Sequence, residues 1–378
     1  MTFDWSSYRG GISWLPTRTI YLTRHGSHSY GTATPTSDLD IRGIAIAPIE
    51  HYLGISATFE QGVQTDPVDF TIFELRKFMK LASDANPNAL EIVFTEPEDH
   101  LHVHPLMAKL FEARNAFLST KALHTFSGYA ASQFKRIKAH RRWLLNPPSG
   151  APTRAEFGLP ERTVLPADQL AAAQAAIQAQ LDSWEWQGLE NLNLAERIAV
   201  QGEFDRRLQL LTRWVDVDQG TWHSAAMSCG LDTNFIRLLD LERQYTARLR
   251  EWQQYNDWKK NRNPARAAME AQFGFDLKHG AHLVRLAKMC RELLTEGVVR
   301  VRRPDAEELL AIRHGAWTFE QLEAYAQQQD EELRELAKTS PLPKQPDRKR
   351  LSALCVELIQ EMHSTTRARA STGNPSET

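Results

Sequence analysis

Cysteine is scarce in this chain of 378 residues, which has only Cys229, Cys290 and Cys355. An odd number at such wide spacing forms neither a disulfide framework nor a cysteine-based zinc site, and it suits a reducing compartment. Long hydrophobic runs are also missing, since no apolar stretch approaches the roughly 20 residues of a membrane helix. The N-terminus carries Asp4 and Arg9 among aromatic residues and has no apolar signal core. We therefore expect an untargeted, cytoplasmic protein without membrane contact.

An excess of charge of either sign is absent as well. Lys and Arg together number 45 and Asp and Glu 47, so the formal net charge of -2 excludes a globally basic nucleic-acid coat, although a local basic groove stays compatible with it. Apolar residues at 42% and charged residues at 24% are ordinary for a globular protein, which excludes a mainly disordered or fibrous chain. At roughly 100–200 residues per domain, the length predicts two or three domains.

The first hundred residues alternate between strand and helix patterns. β-Branched, aromatic and alternating residues predict three strands, at 17–24, 39–47 and 68–70. Thr71 and Glu74 form a capping-box pattern, so a helix is expected from Thr71 to about Ser83. Asn86 followed by Pro87 is a cap and a first helical residue, which predicts a second short helix.

After about residue 106, apolar residues recur at spacings of three and four, which predicts helices. These segments are 106–117, 121–145, 191–215, 232–260, 264–273, 277–295 and 318–337. The proline-rich stretch 146–168 is expected to be a loop, with an Ala/Gln-rich surface helix at 169–180 after it. The β-branched residues of 298–302 favour one isolated strand.

Together these patterns predict an α+β chain with two unequal parts. A small α/β module occupies residues 1–105, a larger and mostly helical domain 106–365, and a disordered polar tail 366–378. We therefore expect the functional residues in the small module, where polar residues lie between strands.

The most informative segment lies between the first two predicted strands. Gly26-Ser27 ends the first strand, ten residues follow, and Asp38-Leu39-Asp40 opens the second. Strand alternation puts Asp38 and Asp40 on one face with Cα atoms roughly 6.5 Å apart, and it turns Leu39 into a core. Two carboxylates this close repel each other unless a cation lies between them, and Mg²⁺ prefers carboxylate, water and phosphate oxygens. The spacing therefore predicts a magnesium site.

The Gly-Ser pair adds a site for an anion. Gly26 lets the backbone approach an anion closely, and Ser27 offers both a hydroxyl and an N–H group. If Ser27 opens a short helix toward Tyr30, its N–H groups form an anion site. An anion site beside paired carboxylates is what nucleoside triphosphate chemistry requires.

A two-metal site needs a third carboxylate, because two cations roughly 3.5–4 Å apart require further anionic ligands. Asp69 is the preferred candidate, since its apolar neighbours would be buried while its carboxylate faces the opposite side. Glu60, Asp66 and Glu74 are alternatives. Asp66 precedes a proline and Glu74 is explained by the capping box, so neither fits as well.

The order Gly26-Ser27, ten residues, Asp38-x-Asp40 and a later Asp69 resembles the DNA polymerase β superfamily of nucleotidyltransferases, in particular its RNA-repair-pathway branch. Further similar segments are 75–78, 86–91, 117–119, 128–130, 278–286 and 312–315. The resemblance implies a module of mixed sheet and helices with the three aspartates as catalytic residues. They would bind two Mg²⁺ ions, or Mn²⁺. It also implies transfer of a nucleoside monophosphate from ATP or another triphosphate, with pyrophosphate leaving.

A second group of candidates lies in the C-terminal part. Lys278, His282 and Arg285 are spaced i, i+4 and i+7 on one helix face, and His279 lies beside that face. A cationic helix face is most often solvated surface. The resemblance favours a lid over the triphosphate or the acceptor's phosphates, so these four residues are predicted to bind nucleotide together with Gly26 and the serine after it.

Three other patterns are weaker. The basic helix end 135–143 has the charge to contact a nucleic-acid backbone, but cations at a helix C-terminus are also favourable by themselves. The alternating histidines of 100–104 lack a carboxylate or cysteine to complete a metal site and are expected at the surface. The second Asp-x-Asp, at 216–218, follows a helical pattern without a Gly-Ser partner, and we interpret it as a helix end.

The sequence leaves three functions open. The resemblance favours an RNA 3′ end as the acceptor of the nucleotide. The balanced net charge favours transfer to a protein or small-molecule hydroxyl, as in AMPylation. A non-catalytic nucleotide-binding protein is the third alternative, disfavoured because such a protein has no reason to keep uncompensated carboxylates together. Base preference, template use and oligomeric state are not determined by these patterns.

Overall fold

The computed structural model describes residues 3–55, 58–163, 165–186, 219–262 and 264–372. The strands are β1 (Thr19–His25), β2 (Asp40–Ala45), β3 (Gln61–Gln64), β4 (Asp69–Glu74) and β5 (His100–Val103). The helices of the first part are α1 (Leu15–Arg18), α2 (Ser27–Tyr30), α3 (Glu50–Leu53), α4 (Leu75–Ser83), α5 (Pro87–Val93), α6 (Met107–Ala113) and α7 (Ala122–Leu145). Those that follow are α8 (Ala167–Trp186), α9 (Gln219–Ser228), α10 (Thr233–Lys260), α11 (Pro264–Phe273), α12 (Leu277–Glu296), α13 (Ala306–Arg313), α14 (Phe319–Thr339) and α15 (Arg348–Thr372).

The five strands form one mixed sheet in the order β3-β4-β2-β1-β5. β2 pairs with β4 in parallel, and the other neighbouring pairs are antiparallel. The expected mixed sheet with helices, followed by a larger helical region, is thus confirmed. Because β1 runs antiparallel to β2, the carboxyl end of β1 lies beside the amino ends of β2 and β4.

The two faces of the sheet are buried by different parts of the chain. Alternation places Leu22, Ile41 and Phe70 on one face, where the N-terminal segment packs against them. Tyr21 and Ile44 lie on the other face, which belongs to the main core. That core also contains apolar residues of α4, α5, α12 and α15, including Phe78, Leu90, Leu286, Met289, Leu351 and Leu358. Helices from the end of the chain therefore complete the core of the N-terminal module.

The chain divides into two compact units. The first consists of Met1–Ile137 together with Phe275–Thr378, and the second of Lys138–Gly274. The second unit has its own apolar cluster, which includes Leu165, Ile177 and Ile236. The division does not fall at residue 105, because the C-terminal helices share the core of the sheet. The catalytic domain of 1–105 stays a prediction about where the chemistry is located.

Several predicted elements change in the structure. Thr71 lies inside β4, whose backbone pairs with both β2 and β3, so α4 begins only at Leu75. Glu74 is its N-cap and accepts a hydrogen bond from the backbone N–H of Lys77 at 3.2 Å. The capping-box prediction was therefore wrong at Thr71, because strand pairing satisfied the backbone that a helix would have used.

Further differences lie outside the site. Residues 298–302 form no strand, and β3, α13 and α15 were not predicted. The last helix continues to Thr372, into the expected tail. The predicted helix 191–215 and the pattern at 216–218 fall outside the described residues. The three cysteines are free, as expected. Among the described residues, no helix combines the length and apolar character that a membrane crossing requires.

Candidate active site

The Gly-Ser turn follows β1 directly. Gly26 has φ 66° and ψ -143°, a combination that essentially only glycine adopts, and the single helical turn α2 starts at the next residue, Ser27. The backbone N–H of Tyr30 donates to the carbonyl of Gly26 at 3.0 Å, and that of Thr32 donates to Ser27 at 2.9 Å. Gly31 ends the turn in the left-handed conformation at φ 77°. The short helix predicted between Ser27 and Tyr30 is present.

Asp40 lies against this turn. It is the first residue of β2 and pairs with His25, the last residue of β1. A Cβ atom built on Gly26 would collide with the carboxylate oxygen Oδ2 of Asp40. The absence of a side chain at Gly26 therefore lets the carboxylate approach the turn, which joins the two halves of the predicted motif in space.

Asp69 lies beside Asp40. The two residues are direct partners in the parallel pair of β2 and β4, so both side chains emerge from the same face of the sheet. Both are half-buried, and they lie at the amino end of their strands. Strand pairing therefore brings three features together: the Gly-Ser turn after β1, Asp40 and Asp69.

Asp38 and Leu39 differ from the expectation. β2 begins at Asp40, so both residues precede the strand, and Asp38 is exposed. Leu39 is 40% exposed rather than buried in a core. That prediction was wrong because alternation orients side chains only inside a paired strand, and the ladder with β1 ends at the pair of His25 and Asp40.

Arg42 brings a positive charge next to Asp69. Its Nη1 donates to Oδ1 of Asp69 at 3.2 Å, and the two side chains are 24% and 42% exposed. Two positions along β2 from Asp40, it lies on the same face. Sequence reasoning missed it, although the i+2 spacing from Asp40 in a predicted strand was a usable signal.

The chemistry of the donor set suits a hard divalent cation, although Asp38, Asp40 and Asp69 are not among the described residues that bring three ligand atoms within 4.8 Å of one another. Three carboxylates are available from Asp38, Asp40 and Asp69, and within the described part of the chain no protein group donates a hydrogen bond to the first two. Arg42 engages only one oxygen of Asp69. Oxygen donors from carboxylates, with room for water and phosphate, are what Mg²⁺ and Mn²⁺ prefer. The residues present are therefore suited to the ions that the resemblance implies.

The four predicted nucleotide-binding residues of α12 have different surroundings. Lys278 is exposed. His279 is half-buried, and its Nδ1 lies 2.5 Å from Oδ2 of the helix N-cap Asp276. His282 is half-buried and its Nδ1 lies 3.3 Å from Nη2 of Arg285, which is only 3% exposed. The helix face is therefore cationic and open to solvent at its beginning, and buried one to two turns later.

Arg285 is paired with a glutamate that sequence reasoning did not single out. Glu91 of α5 is fully buried and accepts hydrogen bonds from Arg285 at 2.5 Å and from the Tyr30 hydroxyl at 2.6 Å. His25 Nε2 lies 3.2 Å from the same carboxylate. One acidic residue inside the apolar run 89–93 was the available signal, since an acid in such a position needs a buried partner.

The protonation of this cluster follows from its burial and charges. Burial raises the pKa of Glu91, but the charge of Arg285 and the contact with His25 outweigh it, so the pKa is well below its usual range. Burial and then the charge of Arg285 lower the pKa of His282 to about 3. At neutral pH, Glu91 and Arg285 are thus a charged pair with a neutral His282 beside them.

The alternative third carboxylates are otherwise engaged. Glu60 pairs with Lys77 at 2.7 Å. Glu74 is buried, caps α4 and accepts from the Tyr52 hydroxyl at 2.7 Å. Asp66 lies outside β4, in the turn that precedes it. Only Asp69 of these four is a register partner of Asp40.

The weaker patterns also have local explanations. His102 Nε2 lies 3.1 Å from the carbonyl oxygen of Thr19, and its ring is exposed. In the second unit, Trp143 is 6% exposed, stacks with the ring of His140 and packs at a tilt against the ring of Trp258. A tryptophan so buried contributes to packing, which explains the end of the basic segment 135–143 locally.

Part of the chain is similar to a known protein family. Residues 12–144 match the family model of the RNA repair pathway DNA polymerase beta family, and the match contains the Gly-Ser turn and all three aspartates. The resemblance of this part of the chain to that branch of the polymerase β type is therefore confirmed.

Two individual proteins are similar to the chain. An uncharacterized 38.9 kDa protein from the nrdC-mobD intergenic region of Enterobacteria phage T4 is 28% identical over 126 residues, which are 31% of this chain. The match spans only 38% of the phage protein. A nucleotidyltransferase-like protein from Exiguobacterium sibiricum 255-15, known from a crystal structure, aligns over 68% of this chain and 81% of its own, with 12% identity and a TM-score of 0.22.

Proposed function

We propose that the chain is a metal-dependent nucleotidyltransferase that moves a nucleoside monophosphate from ATP or another nucleoside triphosphate to a hydroxyl group, with an RNA 3′ end as the preferred acceptor. The observation that carries the proposal is the register pair of Asp40 and Asp69 beside the Gly26 turn. Asp38, two residues earlier and exposed, is the third carboxylate of the set.

The transfer is an in-line displacement at the α-phosphorus. The acceptor hydroxyl oxygen forms a bond to that phosphorus, the bond from phosphorus to the bridging oxygen breaks, and pyrophosphate leaves. Asp69 accepts the proton of the attacking hydroxyl, through Oδ2, since Oδ1 is engaged by Arg42. The three aspartates would hold two Mg²⁺ ions, or Mn²⁺, which supply Lewis-acid stabilisation of the phosphate charge.

The other residues bind and orient the nucleotide. The backbone at Gly26 lets the β- and γ-phosphates come close. The N–H and the hydroxyl of Ser27 donate hydrogen bonds to them. Lys278 and His279 lie on the open part of α12 and neutralise the charge that develops on pyrophosphate. His282 and Arg285, predicted to do the same, lie further along α12, where Arg285 pairs with Glu91 and His282 contacts Arg285.

The alternative functions differ in the molecule that accepts the nucleotide, or in having no acceptor. The RNA 3′ end is supported by the description of the matched family, which names RNA repair. Transfer to a protein or small-molecule hydroxyl is favoured by the net charge of -2. Non-catalytic nucleotide binding is opposed by the neighbouring carboxylates of Asp40 and Asp69, which repel each other without a bound cation. We place the activity in the cytoplasm, with which three free cysteines are compatible.

A labelled-nucleotide assay tests the proposal. The protein is incubated with each α-labelled triphosphate, Mg²⁺ and separately RNA, DNA or protein. We expect label on RNA with the wild type and at least a hundredfold less with Asp40→Asn, because a metal ligand is lost. Asp257→Asn, at an exposed position in the second unit, is the matched control and should retain activity.

A binding measurement separates the alternatives further. Titration with Mn²⁺ should show weaker binding to Asp40→Asn than to the wild type or to Asp257→Asn. Label on protein alone would reject the RNA acceptor. No label on any acceptor, with equal nucleotide binding by wild type and Asp40→Asn, would reject catalysis and favour the binding protein.

A further inference from the structure

Four elements meet at the carboxylate of Glu91. Glu91 belongs to α5, His25 ends β1, Tyr30 ends the helical turn α2, and Arg285 belongs to α12. Glu91 is fully buried, Arg285 is 3% exposed and His25 is 6% exposed. A carboxylate and a guanidinium are taken out of water only where each has a strong partner, so this pair is a specific feature of the core.

Several contacts within this group involve Tyr30, the last residue of the helical turn that follows Gly26. One carboxylate oxygen of Glu91 accepts from the Tyr30 hydroxyl at 2.6 Å and lies 3.2 Å from His25 Nε2. The other oxygen accepts from Arg285 at 2.5 Å. The guanidinium of Arg285 also lies over the Tyr30 ring, 3.8 Å from its centroid. Tyr30 is therefore held by its hydroxyl and by its ring.

The backbone of the same turn is held from the C-terminal part as well. The N–H of Arg303 donates to the Tyr30 carbonyl at 3.0 Å, and Nη1 of Arg313 donates to the Thr32 carbonyl at 3.1 Å. Tyr30 is four residues from Gly26, and its N–H bonds to the Gly26 carbonyl. The Tyr30 ring is thus linked by a short segment and a backbone hydrogen bond to Gly26, which lies against Asp40.

We propose that Glu91, Arg285 and Tyr30 form a positioning cluster that fixes the Gly26–Tyr30 turn for nucleotide binding, so that Arg285 of α12 contributes to the site through the turn rather than by touching the phosphates. The proposal deepens and rests on the proposed function. It assigns Arg285 a role that differs from direct phosphate contact, and it gives Glu91 and Tyr30 roles of their own.

The geometry favours positioning over direct contact. Arg285 uses its guanidinium for Glu91, for the Tyr30 ring and for a contact to Met289 Sδ at 3.0 Å. A buried guanidinium with these neighbours has little exposed surface left for a triphosphate. A guanidinium stacked on a ring and paired with a carboxylate stiffens both, and this is the arrangement that a backbone phosphate site needs.

Tyr30→Phe is the test variant, because it removes only the hydroxyl and keeps the ring beneath Arg285. Tyr129→Phe is the matched control: Tyr129 is also half-buried in the first unit, and its hydroxyl accepts from Asn86 Nδ2 at 3.0 Å, away from the turn. Hydrogen–deuterium exchange of peptides covering residues 26–32 is measured without nucleotide. The amides of Tyr30, Gly31 and Thr32 report there, since each donates a backbone hydrogen bond.

For Tyr30→Phe we expect at least fivefold faster exchange of these amides and a three- to tenfold weaker affinity for ATP with Mg²⁺, with a larger effect on KM than on kcat. Tyr129→Phe should change neither. Glu91→Gln should weaken ATP binding further, and the double variant Tyr30→Phe/Glu91→Gln should lose less than the two single losses combined, because both act through one hydrogen bond.

The outcomes separate this inference from the proposed function. If Tyr30→Phe and Tyr129→Phe show the same exchange at residues 26–32, the positioning cluster is rejected even where the wild type transfers label. If exchange changes as expected but the wild type neither binds ATP nor transfers label, the proposed function fails and the role in nucleotide binding fails with it. Unchanged turn exchange combined with lost ATP binding in Arg285→Lys would instead support direct contact by Arg285.

Discussion

At the scale of single residues, Gly26 shows how one missing side chain builds the site. Its backbone angles lie in a region that other residues avoid, and the space a Cβ would fill is taken by the Asp40 carboxylate. Both reasons act together, so the glycine is required by the turn and by its neighbour. The Gly-Ser motif and the Asp-x-Asp motif are therefore one structural unit.

Gly26→Ala tests this relation. The variant should lose about 1–3 kcal/mol of unfolding free energy from backbone strain, and it should displace Asp40 and lose most of the transfer activity. Gly158→Ala is the matched control, because Gly158 has φ 67° with nothing near its would-be Cβ. Urea unfolding and the labelled-nucleotide assay measure both effects. Equal activity in the two variants would contradict the contact between Gly26 and Asp40.

The pKa of His282 predicts a pH dependence of stability. Its folded pKa of about 3 lies below the ordinary 6.5, so between these values the unfolded chain binds a proton that the folded chain does not. Unfolding free energy should therefore fall as pH falls from about 6.5, by at most about 1.4 kcal/mol per pH unit for one proton.

The measurement is urea unfolding at pH 7, 6 and 5. His282→Gln should show a shallower decrease toward pH 5 than the wild type, because the variant has no imidazole to protonate on unfolding. His223→Gln removes a histidine from an exposed position and serves as the control. A wild-type curve as shallow as that of His282→Gln would show that the imidazole is not held neutral.

At the scale of secondary-structure elements, strand pairing determined where β4 ends and α4 begins, which local sequence patterns did not. Thr71 satisfied a helix-start pattern, yet two neighbouring strands pair with β4 and keep it extended as far as Glu74. β3 has only four residues at the sheet edge, too few for alternation to be recognised in the sequence. Helix starts with a local capping side chain were predictable: Asn86 caps α5, accepting from the Ala89 N–H at 3.4 Å.

The pairing of α5 with α12 predicts an asymmetric response to substitution. Arg285→Met leaves Glu91 buried without its cation and should cost about 3–5 kcal/mol of unfolding free energy. Adding Glu91→Gln to Arg285→Met should recover part of that loss, since no unpaired charge then stays buried.

The control is an exposed pair of the same chemistry. Arg300 and Glu296 pair at i, i+4 with side chains 40% and 48% exposed, so Arg300→Met should cost no more than about 1 kcal/mol. Chemical denaturation of the wild type and the three variants provides the comparison. If Arg285→Met and Arg300→Met cost the same, the buried pair does not hold α5 and α12 together.

At the scale of the whole molecule, the first compact unit is built from two distant parts of the chain. Met1–Ile137 and Phe275–Thr378 share one core, although the 137 residues 138–274 separate them in sequence. The matched family region ends at residue 144, before any of the C-terminal helices. The N-terminal module, which contains all three aspartates, therefore shares its main hydrophobic core with helices from the end of the chain.

A fragment of residues 1–144 should consequently fail to fold cooperatively. It lacks Leu286, Met289 and Leu293, which lie in the main core, and it leaves Glu91 without Arg285. Near-ultraviolet circular dichroism and thermal unfolding measure this. Addition of a fragment covering residues 275–372 should restore a cooperative transition, whereas a cooperative transition in the first fragment alone would show that α12 is dispensable.

The sequence by itself determined the local features of this protein. The spacing of Gly26, Ser27, Asp38 and Asp40, the position of Asp69 in a strand and the long amphipathic helices were predictable, because each depends on neighbouring residues or on the period of a single element. The balance of charge and the scarce cysteines excluded whole classes of protein by composition. The resemblance to a nucleotidyltransferase family depended on the same short segments.

Only the tertiary structure decided which distant groups meet. That Asp40 and Asp69 are register partners depends on a parallel pairing between strands that local periodicity does not specify. That Glu91 binds Arg285 depends on packing between residues separated by 194 positions. Such contacts form because a buried charge requires a partner and the whole core places one within reach, and no window of sequence contains both groups.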